Sequence, residues 1–252
     1  MSVVAQDQQL SQMLVTYQAL LDAHLSAGSK NGKALNLLDY AELRKDERLE
    51  VLLEAFEAYP KERLDTRAKQ IAFYLNAYNL LAMHKVAKHW PLHKLKDLGS
   101  FFRPVWTHHA GKVCGESMTL RKLEHEILRK LGDPRIHFAL NCASVSCPDL
   151  RAEPYVAERL DAQLNEQTHI FLSQANKGMD IEGNQLILSP LFEWFAEDFE
   201  PSGGVLAFLK PYLPDTSEQW EIVGYFEYDW DVNDHLSAAE WNRIKRRGTW
   251  FN

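Results

Sequence analysis

The sequence lacks several features that would assign it directly to a class of protein. Its 252 residues contain no apolar run long enough to span a bilayer, so we predict no membrane span. The net charge of −7 argues against the clustered basic face that a nucleic-acid groove requires, so we predict no nucleic-acid partner. Neither a Gly/Ser-rich linker nor an internal repeat is present. These absences favour a single globular domain.

Cysteine is scarce, and its scarcity limits the covalent chemistry. Three cysteines cannot make a disulfide framework, but they allow one bridge with Cys114 as the odd thiol. The start, MSVVAQDQQ, has no basic and apolar leader, so no signal peptide is predicted. The letters VVA before Gln6 are like the small-residue end of a cleaved leader, which leaves an exported location open. No cofactor is predicted.

Apolar periodicity and turn residues predict a helix-rich α+β fold with a small, mainly antiparallel sheet. The longest helix is expected near 66–89, capped by Asp65, and Thr119 is expected to cap a helix over 120–131. Residues 135–141 are expected to form a short interior strand. The other predicted elements are helices over 8–25, 48–59 and from Pro154 to 172, a turn or loop at 26–33, hairpins around Ala110-Gly111-Lys112 and over 179–189, two short helices, and a strand over 220–230.

The segment HFALNCASVSCPDL, residues 137–150, contains two of the three cysteines. Cys142 and Cys147 could be a nucleophile, a local disulfide or apolar packing. With His137 they could also be zinc ligands, although their spacing differs from the usual two-residue Cys pair. A regular strand would place His137 and Cys142 on opposite faces because their separation is odd. A partner histidine is therefore expected from another element, such as His125 or one of His108 and His109.

Two helical segments carry polar residues that could support such a site. In LEHEILRK a carboxylate, Glu124, precedes His125, and a carboxylate beside an imidazole can orient it as a base. The alternative for this segment is a half-exposed charged helix face. In AFYLNAYNLL, Asn76 and Asn79 lie on an otherwise apolar helix, so we expect both to be buried and to bind a loop backbone.

A series of strings resembles the family catalogued as domain of unknown function 547. They run in order as AFYLNAYN, SMTLRKLEHEILR, DPRIHFALNCASVSCPDL, ERLDAQLNEQTHIFL, LSPLFEWFAEDF and YDWDVN. The resemblance implies no established activity. Some relatives carry the domain beside glutaredoxin-like modules. It implies a domain over 38–234, an N-terminal helix and loop over 1–37 that pack on the core, and a C-terminal tail over 235–252.

The leading hypothesis is a cysteine-dependent hydrolase or acyl transferase, by loose analogy with papain and transglutaminase folds. Cys142 would be the nucleophile, His125 or His137 the base, and Glu124 the residue that orients it. Asn76 or a backbone N–H would be the oxyanion donor. The further candidates for binding are Asn79, Arg129, Arg135, Ser144, Ser146 and Cys147.

Two alternatives remain open beside that hypothesis. One is a non-catalytic binding module in which a Cys142–Cys147 disulfide staples the loop. The other is a thiol redox protein that cycles the same pair. In each case the expected partner is an unknown small molecule or peptide.

Overall fold

Helix α4 (Arg67–Lys88) is the centre of the fold. The computed structural model describes residues 3–100, 102–215 and 219–247. Every residue from 71 to 83 is buried, as expected for a helix that is apolar on all sides. This confirms the predicted long helix. Its N-cap is Thr66, whose hydroxyl accepts from the Lys69 N–H, whereas the expected cap Asp65 pairs with the Lys69 ammonium.

The N-terminal elements pack against α4. Helix α1 (Val3–His24) leads into strands β1 (Leu25–Lys30) and β2 (Lys33–Leu38), and helices α2 (Tyr40–Leu43) and α3 (Glu47–Ala58) follow. The turn or loop expected over 26–33 is confined to a turn at Asn31-Gly32, because the flanking residues form β1 and β2, an antiparallel hairpin. Asn31 and Gly32 adopt the positive φ angles that a tight hairpin turn requires.

A second hairpin leads into an irregular helix. Strands β3 (His109–Val113) and β4 (Glu116–Thr119) turn at Cys114-Gly115, not at the expected Ala110–Lys112. The Thr119 hydroxyl accepts from the Lys122 N–H, which confirms it as a cap. The expected regular helix is instead a π-helix over Lys122–Leu128, followed by a 3-10 turn over Arg129–Leu131.

The expected strand at 135–141 is wrong. Asp133 accepts from the Arg135 N–H, and Pro134 begins a 3-10 helix over Pro134–Phe138. Proline at this position favours a helical turn because its φ angle is already suitable and it has no N–H to satisfy. The segment is nevertheless interior, since every residue from 136 to 150 except Cys142 is buried.

The C-terminal half adds the remaining elements. They are helix α5 (Leu160–Leu172), strands β5 (Met179–Glu182) and β6 (Gln185–Leu188), helix α6 (Leu191–Trp194), a 3-10 helix over Ala196–Ser202, helix α7 (Val205–Leu209), strand β7 (Glu221–Tyr225) and helix α8 (Ala238–Arg247). β5 pairs antiparallel with β6, whereas β7 pairs parallel with β6. The fold is thus helix-rich α+β with small, mostly antiparallel sheets, as predicted.

Two apolar clusters meet at the 3-10 helix over Pro134–Phe138. Ile136 and Leu140 belong to the larger cluster around α4, whereas Phe138 belongs to a smaller aromatic cluster with Phe171 and Phe192. His137 therefore lies between the two clusters. None of the helices in the described ranges is long and apolar enough to cross a membrane.

Candidate functional site

A pocket of about 170 Å³ opens between these two clusters. Its sulfur wall consists of Cys142, Cys147, Pro148 and Tyr228. Its acid wall consists of Glu124, His125 and His137, and its aromatic wall of Trp106, Trp194 and Trp230. The pocket is completed by Tyr78, Arg121, Leu140, Leu191 and Phe195.

The two cysteines of the sulfur wall form a disulfide, with their Cα atoms 6.1 Å apart. Their environments differ, because Cys142 is half-buried whereas Cys147 is 3% exposed. The Cys147 sulfur accepts from the Cys142 backbone N–H at 3.0 Å and from the Tyr228 hydroxyl at 3.1 Å. The same hydroxyl lies 3.4 Å from the Cys142 sulfur. Both cysteines line the pocket, but Cys142 is the more exposed. The Cys142 sulfur has longer contacts, to the Tyr228 hydroxyl and at 3.5 Å to the Ser144 hydroxyl, whereas the two shorter contacts are to the Cys147 sulfur.

Hydrogen bonds outside the disulfide fix the loop that carries it. The Asn79 amide donates to Ala139 O at 3.0 Å and accepts from Asn141 N–H at 2.8 Å. The Asn141 side chain in turn donates to Pro148 O and accepts from Ala143 N–H. Both ends of the loop are thus held by buried amides of neutral charge.

The segment after β7 fixes the middle of the same loop. The Val145 N–H donates to Asp231 O at 2.8 Å, and the Ser146 N–H donates to Asp229 O at 3.1 Å. The Ser146 hydroxyl accepts from the Asp229 N–H at 2.9 Å. Ser144 is buried and forms a backbone bridge with Val232. Ser144 and Ser146 therefore support the loop and do not line the pocket.

Glu124 brings a carboxylic acid into a cavity rich in aromatic rings. Its Oε2 lies 3.5 Å from the Tyr78 hydroxyl, a long contact for a hydrogen bond. Burial raises the pKa of the Glu124 carboxyl to about 7, although Arg129 and the Tyr78 hydrogen bond oppose the shift. The group can therefore donate or accept a proton near neutral pH.

The two histidines of the acid wall are joined through Arg129 and Asp198. Nη1 of Arg129 lies 2.9 Å from His125 Nδ1, and the same guanidinium donates to both carboxylate oxygens of Asp198. His137 Nε2 lies 2.6 Å from Asp198 Oδ2, and its ring stacks on Phe195. Burial lowers the pKa of both histidines.

This network also holds the Asp198 carboxylate ionised. Burial is the largest influence and opposes ionisation. The hydrogen bonds from His137 and Arg129 outweigh it and hold the pKa of Asp198 far below its usual range. Asp198 therefore connects the 3-10 helix over Ala196–Ser202 directly to His137 and, through Arg129, to His125.

The aromatic wall is a stack of rings. Trp230 lies 4.4 Å from the Tyr228 ring centroid, 5.9 Å from Trp194 and 6.3 Å from Trp106. The Lys96 ammonium lies 5.1 Å from the Trp230 ring centroid. Trp194 is 46% exposed, so this wall forms part of the molecular surface.

The structure brings Glu124, His125, His137, Cys142 and Cys147 together in the pocket. Residues 134–138 form a 3-10 helix, so His137 and Cys142 do not lie on opposite faces of a strand, and both line the pocket. The expected burial of Asn79 and its contact with the loop are confirmed.

Two predicted site residues lie elsewhere. The amide of buried Asn76 binds the backbone N–H and C=O of Tyr155, so both of its ends are engaged away from the pocket. Arg135 binds Asp133 and Asp161. Neither residue lines the pocket.

Sequence reasoning did not place Tyr78, Trp106, Trp194, Tyr228 or Asp198 at the site. Two of the strings that carry the family resemblance, LSPLFEWFAEDF and YDWDVN, contain three of these residues. The family resemblance of these two strings is the feature of the sequence that could have identified Trp194, Asp198 and Tyr228. In the described part of the chain, no three His, Cys, Asp or Glu side chains are arranged to hold a metal ion.

The fold and the pocket define an α+β protein with a disulfide in the wall of a small aromatic cavity. Residues 62–172 match the model of the family described as "Protein of unknown function, DUF547". The match confirms the resemblance over these residues, which include the two cysteines of the disulfide, Glu124, His125 and His137. No curated protein matches the chain, and no solved structure matches it.

Proposed function

We propose that the chain performs thiol–disulfide exchange at this pocket. Cys142 is the sulfur that a substrate thiolate attacks, and Cys147 is the leaving sulfur. The observation that carries the proposal is the asymmetry of the pair. Cys142 is the more exposed cysteine of the pocket wall, whereas Cys147 is buried and its sulfur has the shorter contacts, from the Cys142 N–H at 3.0 Å and the Tyr228 hydroxyl at 3.1 Å.

The two donors favour departure of Cys147. Exchange proceeds by attack of a thiolate on one sulfur, and it is faster when the departing thiolate is stabilised. When the bond breaks, the electron pair goes to Cys147, where the Cys142 N–H and the Tyr228 hydroxyl already point. A charge-assisted hydrogen bond is about twice as strong as a neutral one. Both contacts therefore strengthen as the negative charge develops.

The complete reaction balances with a dithiol substrate. Its first thiolate forms a bond to Cys142 and breaks the Cys142–Cys147 bond. Its second thiolate then attacks the substrate sulfur in this mixed disulfide and releases Cys142. The substrate is oxidised by two electrons to a disulfide, the protein pair is reduced to two thiols, and the two substrate protons end on the two cysteines.

Glu124 supplies a proton acceptor for the substrate thiol. A free thiol is a poor nucleophile until it is deprotonated. The Glu124 carboxyl lines the same pocket, and its pKa of about 7 suits proton exchange at neutral pH. In this proposal it takes the proton of the incoming thiol and returns it to a cysteine sulfur.

The hydrolase and acyl-transferase hypothesis finds no support in the structure. Such an enzyme needs a free thiolate at Cys142, and that sulfur is paired with Cys147. Both histidines direct a ring nitrogen at another residue, His125 at Arg129 and His137 at Asp198.

The proposal is tested by trapping the mixed disulfide. In a Cys114→Ser background, Cys147→Ser leaves Cys142 as the only thiol, and Cys142→Ser leaves only Cys147. We expect Cys142 to react with an aromatic disulfide such as dithiobis(nitrobenzoate) at least about tenfold faster than Cys147, because Cys142 is the more accessible sulfur and Cys147 is buried. Mass spectrometry identifies the adduct, and circular dichroism confirms the fold.

Equal reaction rates in the two folded variants would contradict this assignment of roles. If neither folded variant reacts, the disulfide is a staple, and the chain is the binding module considered above.

A further inference from the structure

A second cavity, of about 360 Å³, lies between the C-terminal half of α4 and strand β3. Its lining contains six basic side chains and no carboxylate. They are His84, Lys85, Lys88, His89, His108 and His109, and Leu98, Ala110 and Gly111 complete the lining. This basic cavity shares no lining residue with the disulfide pocket.

Lys85 is the unusual member of this set. It is 6% exposed, and its ammonium donates to His109 O at 2.9 Å. Within the described residues, no carboxylate forms an ion pair with it. Buried charges are ordinarily paired, because removing an unpaired ammonium from water is costly. Burial and the neighbouring Lys88 lower its pKa accordingly.

Stabilisation of the helix end does not account for Lys85. Cationic side chains near a helix C-terminus often bind its last carbonyl groups. Lys85 and Lys88 both lie in the last turn of α4, but it is the C-cap residue His89 whose ring nitrogen contacts a helix carbonyl, Lys85 O. The Lys85 ammonium instead binds a carbonyl of β3 across the cavity, and an ammonium has three donors.

His109 supplies a second donor in its neutral form. Its Nδ1 lies 3.0 Å from the Ser117 hydroxyl. When Nδ1 accepts from that hydroxyl, the ring proton resides on Nε2. A metal is a poorer fit to the cavity, since no three metal-ligating side chains in the described ranges are suitably arranged.

We propose that the basic cavity binds a phosphate group, free or as the monoester of a small molecule, with the Lys85 ammonium as its anchor. Lys88 at the rim adds a second positive charge. The phosphate supplies the acceptor oxygens and the negative charge that Lys85 lacks. This site is independent of the exchange chemistry at the disulfide pocket.

Calorimetric titration of the full chain with inorganic phosphate tests the proposal, with glycerol phosphate as a parallel arm. We expect saturable binding that Lys85→Met weakens at least about tenfold, which corresponds to 1.4 kcal/mol at 25 °C. Lys112→Met is the matched control, because Lys112 lies on β3 beside the cavity, does not line it and pairs with Glu57. Tighter binding of glycerol phosphate would identify a monoester as the natural ligand, and tighter binding of inorganic phosphate would identify the free ion.

Thermal unfolding gives an independent readout. Phosphate should raise the Tm of the wild-type chain and of Lys112→Met, but not of Lys85→Met. Without phosphate, Lys85→Met should be at least as stable as the wild type, since it removes an unpaired buried charge. Equal weakening by the two variants, or no saturable binding by the wild-type chain, would overturn the proposal.

Discussion

The sulfur wall and the acid wall of the pocket are held in place by different interactions. The sulfur wall depends on neutral, buried hydrogen bonds from Asn79 and Asn141. The acid wall depends on charged contacts among Arg129, Asp198 and the two histidines. Neutral contacts do not titrate, so we expect the cysteines to keep their positions as pH changes. The acid wall can instead change its protonation beside a fixed disulfide.

Removing the support of the sulfur wall should have the largest effect. Asn79→Ala leaves Ala139 O and Asn141 N–H buried without their partner, and we expect a loss of about 2–4 kcal/mol in the free energy of unfolding. Chemical denaturation measures this loss. Asn184→Ala removes an exposed side-chain hydrogen bond to Gln219 O and should change stability by less than about 0.5 kcal/mol. A similar small loss for Asn79→Ala would show that the loop has other sufficient support.

Removing the central charge of the acid wall should have a smaller effect that depends on pH. We expect Asp198→Asn to lose about 1–3 kcal/mol at pH 7, since Arg129 and His137 lose their anionic partner. The folded-state pKa of Asp198 is lowered, so its contribution is complete above the unfolded pKa. It is lost as pH falls below about 4. The difference in the free energy of unfolding between the variant and the wild type should therefore be complete at pH 7 and smaller at pH 3, and an equal difference at the two pH values would contradict this account.

Replacing the acid itself should stabilise the protein at alkaline pH. The pKa of Glu124 rises from an ordinary 4.5 to about 7 on folding, so wild-type stability should fall between these two values and level off above them. Glu124→Gln removes the cost of ionising a buried carboxyl. We expect its free energy of unfolding to exceed that of the wild type by about 1–2 kcal/mol at pH 8, with little difference at pH 4. Equal effects at both pH values would show that Glu124 is not perturbed. Glu124→Gln should also slow thiol exchange at neutral pH.

Removing one contact to the leaving sulfur should have the smallest effect on stability. Tyr228→Phe keeps the ring packed against Trp230 but removes the donor to Cys147. We expect a stability change of less than about 1 kcal/mol. The rate of exchange should fall by about tenfold, because the departing thiolate loses one of two hydrogen bonds. Tyr225→Phe, at an exposed position in β7, is the matched control and should leave the rate unchanged.

The sequence predicted the parts of the fold that repeat regularly. Apolar periodicity identified α4 and α3, and turn residues identified the hairpin of β5 and β6. It missed the hairpin at 25–38, where polar residues in SAGSKNGK obscured the strand pattern although Asn31-Gly32 is a hairpin turn. It also read RIHFALNC as a strand, because short apolar runs do not distinguish a strand from a helical turn.

The site was only partly predictable for a related reason. Cys142, Cys147, Glu124, His125 and His137 were named from their chemistry, and they do line one pocket. The disulfide could not be chosen over the other cysteine states, since its geometry depends on loop contacts to Asn79 and to residues 229–233, which are distant in sequence. The aromatic wall was missed because tryptophans are common in cores, and a ring that lines a cavity has the same local pattern.

The most direct test of the account is reduction of the Cys142–Cys147 disulfide in the folded protein. A thiol such as dithiothreitol is added without denaturant, and alkylation with mass spectrometry follows the pair while circular dichroism follows the fold. We expect complete and reversible reduction with the fold retained. The free energy of unfolding should fall by no more than about 2 kcal/mol, the entropic contribution of a bridge that closes so short a loop. A disulfide that is reduced only when denaturant unfolds the chain would contradict the account and identify the bridge as a structural staple.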